Sequence, residues 1–271
     1  MIAERINAER IVLAGWGRAI LMQLAHPLVA AGVADHSTFR EGRLAPVVRL
    51  HRTVRAMTAL TFGTDSERRD ALEGIRRIHR RVHGELPAPV GPFPAGTRYS
   101  AEDPALLTWV HATLLDSLPM AYTLLVGPLT REELDVYCRE AAPAARELGA
   151  SDDVPQSKAE LDAYLARMEA SGTILVGPTA RELAARVLAP PFGPLAGPVV
   201  RANRLVTTAL LPPRLRREYG LPWGPAEHRA FARRVRLLRT ARRLTPRLVR
   251  WWPEARRALA QGRIAPGPVR A

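Results

Sequence analysis

The hydrophobic residues of this chain recur every three or four positions through most of its length, which is the spacing of amphipathic helices. Segment 66–83 shows the pattern clearly, because Leu72, Ile75, Ile78 and Val82 form one stripe among charged residues. No run rich in Val, Ile or Thr alternates with the period of two that a half-buried strand requires. The pattern predicts an all-α fold in which 66–83 is a helix buried along that stripe.

Sequence signals for helix starts support this prediction. A serine or threonine followed three residues later by a glutamate can satisfy two free backbone amides at once. The pairs that qualify are Thr64 with Glu67, Thr130 with Glu133, Ser157 with Glu160, and Thr179 with Glu182, and Asp103 before Pro104 marks a further start. The predicted helices cover residues 6–33, 43–62, 66–83, 104–118, 130–147, 158–171, 179–188, 196–210, 225–244 and 247–260.

Prolines and glycines interrupt this helical pattern. Pro27 should kink the first helix, since proline removes an amide donor and clashes with the preceding turn. Residues 85–100 predict a long ordered loop or lid, and residues 190–198 predict a second break. We expect one multi-helix domain over residues 1–271, globin-like in general character, with a basic helical portion at 225–271.

The positive charge of the chain is concentrated near its C-terminus. The net charge is +14, and residues 225–271 contribute thirteen arginines against Glu227 and Glu254. Lys158 is the only lysine, so the arginine content is partly a compositional bias, and it predicts no specific nucleic-acid partner.

Within that segment, arginines follow helical spacing opposite apolar residues. The stripe comprises Arg229, Arg233, Arg236, Arg243, Arg247 and Arg250, it faces away from Val235, Leu238 and Leu248, and it ends at Trp251 and Trp252. Such a face is suited to peripheral contact with an anionic membrane, and the alternative is a solvated helix surface.

Cysteine content and hydropathy bear on the compartment. Cys138 is the only cysteine, which excludes an intrachain disulfide and a cysteine-cluster metal site. The longest apolar stretch, residues 19–34, includes Gln23, His26 and Pro27 and is too short for a spanning helix. We expect no secretory signal and no transmembrane segment, hence a cytoplasmic protein that is membrane-associated if its basic stripe binds lipid.

One segment carries residues suited to haem chemistry. His79 follows Ile75 by one turn, Arg76 lies three residues before His79, and His83 lies a further turn on, beside Gly84. An imidazole can bind haem iron while a nearby guanidinium pairs with a propionate. On spacing alone, a hydrogen-bonded structural histidine is the alternative.

The preceding predicted helix contains RLHRT, in which Arg49 and Thr53 share a face and Arg52 adjoins them. The structural alternative is a solvated arginine and a hydroxyl bonded to its own helix.

Several long motifs together resemble the latex clearing protein and MpaB-type oxygenase family. They are QLAHPLVAAGVADHSTF at 23–39, RLHRT at 49–53, LTFG at 60–63, IHRRVHG at 78–84, YSAEDPALLTWVHATLLDS at 99–117, GPLTREELDVYCREA at 127–141 and YGLPW at 219–223. The resemblance covers most of the chain.

The resemblance implies an all-α oxygenase with haem b held by one proximal histidine, using O2 on a hydrophobic organic substrate. It places His79 at the ligand position with Arg76 before it, and His83 is the alternative ligand. It also places Arg49 and Thr53 as a polar pair near the haem, where both are candidate catalytic residues and Arg49 is a candidate haem contact.

The chain departs from the rubber oxygenases at two positions. Those enzymes carry a lysine before the threonine, whereas this chain has Arg52, which does not readily release a proton. Their catalytic glutamate has no secure counterpart here. We therefore do not expect cleavage of polyisoprene. The alternative functions are a non-catalytic haem-binding protein and a basic helical protein that associates with a membrane surface or nucleic acid.

Three other residues have both a structural and a functional interpretation. His26 is either a buried hydrogen-bonded histidine or part of a pocket wall. His111 is either bonded to Asp116 or part of a distal pocket. Cys138 is a poor thiolate ligand, because Asp135 and Glu140 lie close to it in sequence.

Overall fold

The computed structural model describes residues 1–36, 45–189 and 197–264, with the backbone alone at 45–50. The all-α prediction is confirmed, since helices make up most of the described chain. They are α1 Ile2–Ala8, α2 Trp16–Leu24, α3 Pro27–His36, α4 Ala45–Phe62, α5 Asp65–His79, α6 Pro104–Leu125, α7 Arg131–Glu147, α8 Lys158–Ala170, α9 Pro178–Leu188, α10 Gly197–Leu210, α11 Pro213–Glu218, α12 Pro225–Leu244, α13 Arg247–Arg250 and α14 Pro253–Ala260, with a 3-10 helix at Arg10–Gly15. The predicted break at 190–198 falls mainly outside the described residues.

Helix α6 lies at the centre of the fold and packs against α2, α7, α8 and the 3-10 helix. It begins where predicted, with the Asp103 side chain accepting from the amides of Ala105 and Leu106. The predicted end at 118 is wrong, because the helix continues through Pro119 to Leu125. Burial of its apolar side chains on both sides of the proline offsets the loss of one backbone hydrogen bond.

The prediction of one kinked helix over 6–33 is also wrong. The segment is α1, the 3-10 helix, α2 and α3 in succession, and the chain bends by 106° between Leu24 and Pro27. Gly15 lets the 3-10 helix approach α6 closely, because a Cβ there would lie 2.5 Å from the Ser117 carbonyl oxygen. No single helix in the described ranges is long and apolar enough to cross a membrane, although residues 10–24 and 27–36 would be if they were joined straight.

A two-stranded ribbon replaces the end of the predicted helix 66–83. Helix α5 stops at His79, and β1 (His83–Glu85) pairs antiparallel with β2 (Arg98–Ser100). A Cβ at Gly84 would lie 2.4 Å from Tyr99 Oη, so the contact between the strands requires glycine there. The predicted loop 85–100 is therefore the connection of this ribbon and its second strand.

The buried stripe predicted for α5 is only partly correct. Leu72 is 3% exposed and Ile75 is half-buried, but Ile78 is 59% exposed. The buried side of α5 is shifted around the helix from the predicted stripe toward His79, which lies two turns after Leu72 on the same side.

The C-terminal helices pack against the N-terminal part of the chain. A small hydrophobic core joins the two parts. It consists of Ala8, Phe62, Trp251, Ala255, Ala258 and Ile264. The predicted helix 247–260 is divided into α13 and α14, because the chain is extended at Trp251 and Trp252.

Candidate functional site

His79 is the last residue of α5, a helix that begins with the capping box predicted at Thr64 and Glu67. Its ring is half-buried and forms no hydrogen bond with any residue that the structure describes. Burial lowers the pKa of His79 below its usual 6.5, and the nearby Glu102 carboxylate opposes this shift. His79 is therefore a neutral imidazole at neutral pH, and a neutral ring nitrogen is the form that binds a metal.

Arg76 is exposed, lies one turn before His79 on α5, and already has a structural partner. Its Nη2 donates to the main-chain carbonyl oxygen of Glu147, the last residue of α7, and Arg68 pairs with the Glu147 carboxylate. A cation is favourable at a helix C-terminus, so these arginines hold α5 against the end of α7. A guanidinium has further N–H donors, and the contact of Arg76 with a propionate stays a prediction.

His83 lies in a different element from His79. It is the first residue of β1, its ring is exposed, and its carbonyl oxygen lies 2.9 Å from Nε2 of His36. The two rings are 6.3 Å apart. The two candidate ligands thus no longer share a helix face as the sequence suggested.

The ribbon is attached to α3 by contacts that sequence reasoning missed. The Tyr99 hydroxyl donates to the Asp35 carboxylate, and the Tyr99 ring lies beside Gly32. Burial and this hydrogen bond raise the pKa of Tyr99 above its usual value. No local sequence signal marks the pair, because its partners are 64 residues apart.

Arg49 and Thr53 both lie in α4, one helical turn apart as predicted. Arg49 is described by its backbone only, while Thr53 and Arg52 are exposed. Helices α4 and α5 are joined by Gly63 and Thr64 alone and contact each other. The structure thus places the polar pair and His79 on consecutive helices, and a direct contact between them stays a prediction.

The predicted hydrogen bond between His111 and Asp116 is wrong. Positions five apart do not face each other on a helix, and Asp116 Oδ2 instead accepts from Arg18 Nη2 at 2.6 Å. His111 Nε2 is shielded from solvent and has no hydrogen-bond partner in the described structure. Burial lowers the pKa of His111 to about 4, so its ring is neutral.

His26 fits the structural interpretation. It is 5% exposed, its Nδ1 accepts from the Leu28 amide at 3.3 Å, and its ring centroid lies 5.4 Å from that of Phe93. Burial lowers its pKa to about 4, opposed by Asp103.

Cys138 is buried in α7, and burial followed by the nearby Asp135 raises its pKa to about 11. A thiol with this pKa stays protonated at neutral pH and does not offer a thiolate.

Two described helices each carry a single histidine that is a candidate ligand, His79 on α5 and His111 on α6. Among the described residues no group of three or more His, Cys, Asp or Glu side chains could hold an ion. A haem iron takes four nitrogens from its porphyrin and one or two axial ligands from the protein. The His79 ring has no hydrogen bond to a described residue, and Nε2 of His111 has none either. Arg76 lies one turn before His79 on the same helix.

Comparison with known proteins adds a family match. The sequence model described as "ER-bound oxygenase mpaB/B'/Rubber oxygenase, catalytic domain" matches residues 4–240. Uncharacterized proteins of Mycobacterium bovis and Mycobacterium tuberculosis are each 29% identical over 238 residues, which is 84% of this chain and 87% of each relative. No solved structure matches the chain.

Proposed function

Because this chain belongs to the family of MpaB-type and rubber oxygenase catalytic domains, we propose that it is a haem b-dependent oxygenase that uses O2 on a hydrophobic organic substrate. The observation that carries the haem assignment is His79, a neutral, half-buried imidazole without a hydrogen bond to any described residue. It occupies the position at which the family resemblance expects the proximal ligand.

The residues of the chain have distinct roles in this proposal. His79 would bind the iron through a ring nitrogen, and its place at the end of α5 would fix the position of the ring. Arg76 and Arg49 would meet propionates or a polar distal group, with Thr53 beside Arg49 as a hydrogen-bonding group. The haem, once bound, supplies the reaction with O2, while the protein supplies binding, orientation and the exclusion of water.

The proposal does not extend to rubber cleavage. Arg52 stands where the rubber oxygenases carry lysine, and a guanidinium holds its proton throughout the physiological pH range. The substrate class in this proposal is therefore a hydrophobic organic compound other than polyisoprene.

The test is the absorption spectrum of the purified full-length protein, expressed with haem precursor, together with a pyridine haemochrome assay. We expect an intense Soret band and a haem b signature near one haem per chain. A folded protein that takes up no haem during expression or after reconstitution would refute the proposal. Haem binding without O2 uptake across a panel of hydrophobic compounds would favour the non-catalytic haem-binding alternative.

A further inference from the structure

The solvent side of α12 combines arginines with exposed leucines. We call it the α12 outer face, and it consists of Arg229, Arg233, Arg236, Leu237, Arg243 and Leu244. Leu237 is 57% exposed and Leu244 is 80% exposed. On helical geometry the two leucines lie seven residues apart along one edge of the arginines. The face is thus a cationic strip with an aliphatic border.

The aliphatic border continues past the end of α12. Helix α13 follows after Thr245 and Pro246, and it exposes Leu248 by 65% and Val249 by 54%. The most exposed large hydrophobic residues of the described chain are Met1, Ile78, Val199, Leu237, Leu244, Leu248 and Val249. Four of these seven lie on α12 and α13, so the exposed apolar surface is concentrated there.

This surface differs from the stripe predicted from sequence. Val235 is buried and Leu238 is half-buried, so both face the protein interior and cannot meet a membrane. Arg250 is not part of the exposed surface, because it is half-buried and its Nη1 donates to the Arg242 carbonyl oxygen at 3.4 Å. The leucines that matter, Leu237 and Leu244, lie beside the arginines and not opposite them.

The charge of the α12 outer face is not neutralised by any residue that the structure describes. Its four arginines form no ion pair with any described residue, whereas Arg242 on the inner side is bound by Glu9. The acidic residues between 225 and 264 are Glu227 and Glu254, and both are engaged elsewhere. Glu227 accepts from the Gly224 amide at 2.8 Å, and Glu254 lies 3.6 Å from Arg257.

We propose that the α12 outer face and the exposed Leu248 and Val249 of α13 dock on an anionic membrane surface. Arginines of such a face attract lipid phosphates, while neighbouring leucines enter the boundary between headgroups and acyl chains. A nucleic acid would use the arginines but would gain little from solvent-exposed aliphatic side chains. The combination of both features therefore selects the membrane as the partner.

The test is flotation of the full-length protein with vesicles of phosphatidylcholine alone or of phosphatidylcholine mixed with phosphatidylglycerol, at low and high salt. We expect binding to the mixed vesicles, weaker binding at high salt, and little binding to the neutral vesicles. Binding does not depend on haem, so it is measured on both haem-loaded and haem-free protein, which separates this proposal from the proposed function.

Matched variants separate the two components of the surface. Leu244→Gln should lower vesicle affinity roughly tenfold, whereas Val199→Gln on α10, which is 71% exposed, should leave it unchanged. The double change Arg236→Gln and Arg243→Gln should weaken binding roughly 30-fold, since each arginine near a membrane contributes about fivefold. The charge control is Arg69→Gln with Arg131→Gln, two exposed arginines away from this face.

Four results would overturn the proposal. One is equal vesicle binding by Leu244→Gln and Val199→Gln. Another is equal binding by the two arginine double variants, which would make net charge the only cause. The third is a dimer in light scattering that Leu244→Gln dissociates while the wild-type protein ignores vesicles, which would assign the surface to a second copy of this chain. DNA binding that Leu244→Gln leaves intact, without vesicle binding, would assign it to nucleic acid.

Discussion

At the scale of single residues, His79 and His111 are the two half-buried histidines without a hydrogen bond to any described residue, and His79 is the one that the family resemblance expects to be the ligand. We expect His79→Ala to lose most haem and His83→Ala to keep it, because His83 is exposed on β1. Arg76→Ala should weaken haem binding less, since another donor or water can meet a propionate. The measurement is the Soret absorbance per folded protein, with folding checked by circular dichroism.

His111 provides the decisive comparison for this assignment, because its Nε2 is also without a partner. If His111→Ala loses haem while His79→Ala retains an unchanged Soret band, the axial ligand is on α6 and the assignment to α5 is wrong.

The two most strongly shifted histidines predict acid sensitivity. Burial lowers the pKa values of His26 and His111 from 6.5 to about 4 in the folded protein. Between these two pH values the unfolded chain therefore binds more protons than the folded protein. Stability should therefore be retained above pH 6.5 and should decrease as the pH falls from 6.5 toward 4. For His26, the free energy of unfolding should decrease by about 2 kcal/mol between about pH 7 and about pH 5.

Urea unfolding at these two pH values measures this loss. His111→Leu should lose less stability on acidification than the wild-type chain, whereas the exposed His228→Gln should lose as much. If the wild type and His111→Leu lose the same free energy of unfolding on acidification, the lowered pKa of His111 in the folded state is contradicted.

At the scale of elements, the ribbon depends on the contact of Gly84 with Tyr99. We expect Gly84→Ala to destabilise the protein by about 1–3 kcal/mol, because the added methyl group would overlap the Tyr99 ring. Gly74→Ala is the control, since nothing lies within 4 Å of its Cβ position in the middle of α5. It should stabilise by up to about 1 kcal/mol through helix propensity. Chemical unfolding of both variants checks the opposite signs, and an unaffected Gly84→Ala would contradict the packing.

Helix starts were predictable from sequence because their signals are local. The capping boxes at Thr64 and Thr130 form as expected. The cap proposed at Thr179 does not form, because α9 begins at Pro178 after Gly177.

Local signals did not predict the ribbon. They also did not predict how sharply the chain turns at His26 and Pro27. A strand of three residues is too short to show a period, and its partner lies across a loop.

The candidate site was predictable to a similar depth. Helical spacing puts His79 one turn after Ile75 at the edge of the predicted stripe, and in the structure its ring is half-buried. Partners such as Glu147 for Arg76 and Arg18 for Asp116 are 71 and 98 residues away in sequence. Such pairs are set by tertiary packing, which a single sequence does not specify.

At the scale of the whole molecule, Glu9 joins the two ends of the described chain. Its 5% exposed carboxylate accepts from Arg242 at 2.6 and 3.0 Å and from Trp251 Nε1 at 3.3 Å. We expect Glu9→Gln to destabilise by about 2–4 kcal/mol, because the Arg242 side chain, which is 16% exposed, loses its counterion. The control Glu254→Gln removes the Arg257 pair at 3.6 Å and should cost less than about 1 kcal/mol.

Thermal and chemical unfolding of the two variants measure this difference. Equal stability of Glu9→Gln and Glu254→Gln would show that the link between the ends contributes little. The same contacts explain why the α12 outer face is tested with point variants. Deleting residues 225–271 would expose the small core that contains Ala8 and Phe62.

The link at Glu9 has a consequence for the order of synthesis. Glu9 leaves the ribosome early, and its partner Arg242 is 233 residues later. At about 5–20 residues per second, roughly 10 to 50 seconds separate the two, during which the N-terminal helices lack both the counterion and the hydrophobic cover that the last helices bring. Nascent chains stalled before residue 242 should therefore remain protease-sensitive at α1 and engage holdase chaperones, and they should become resistant only when α12 to α14 have emerged.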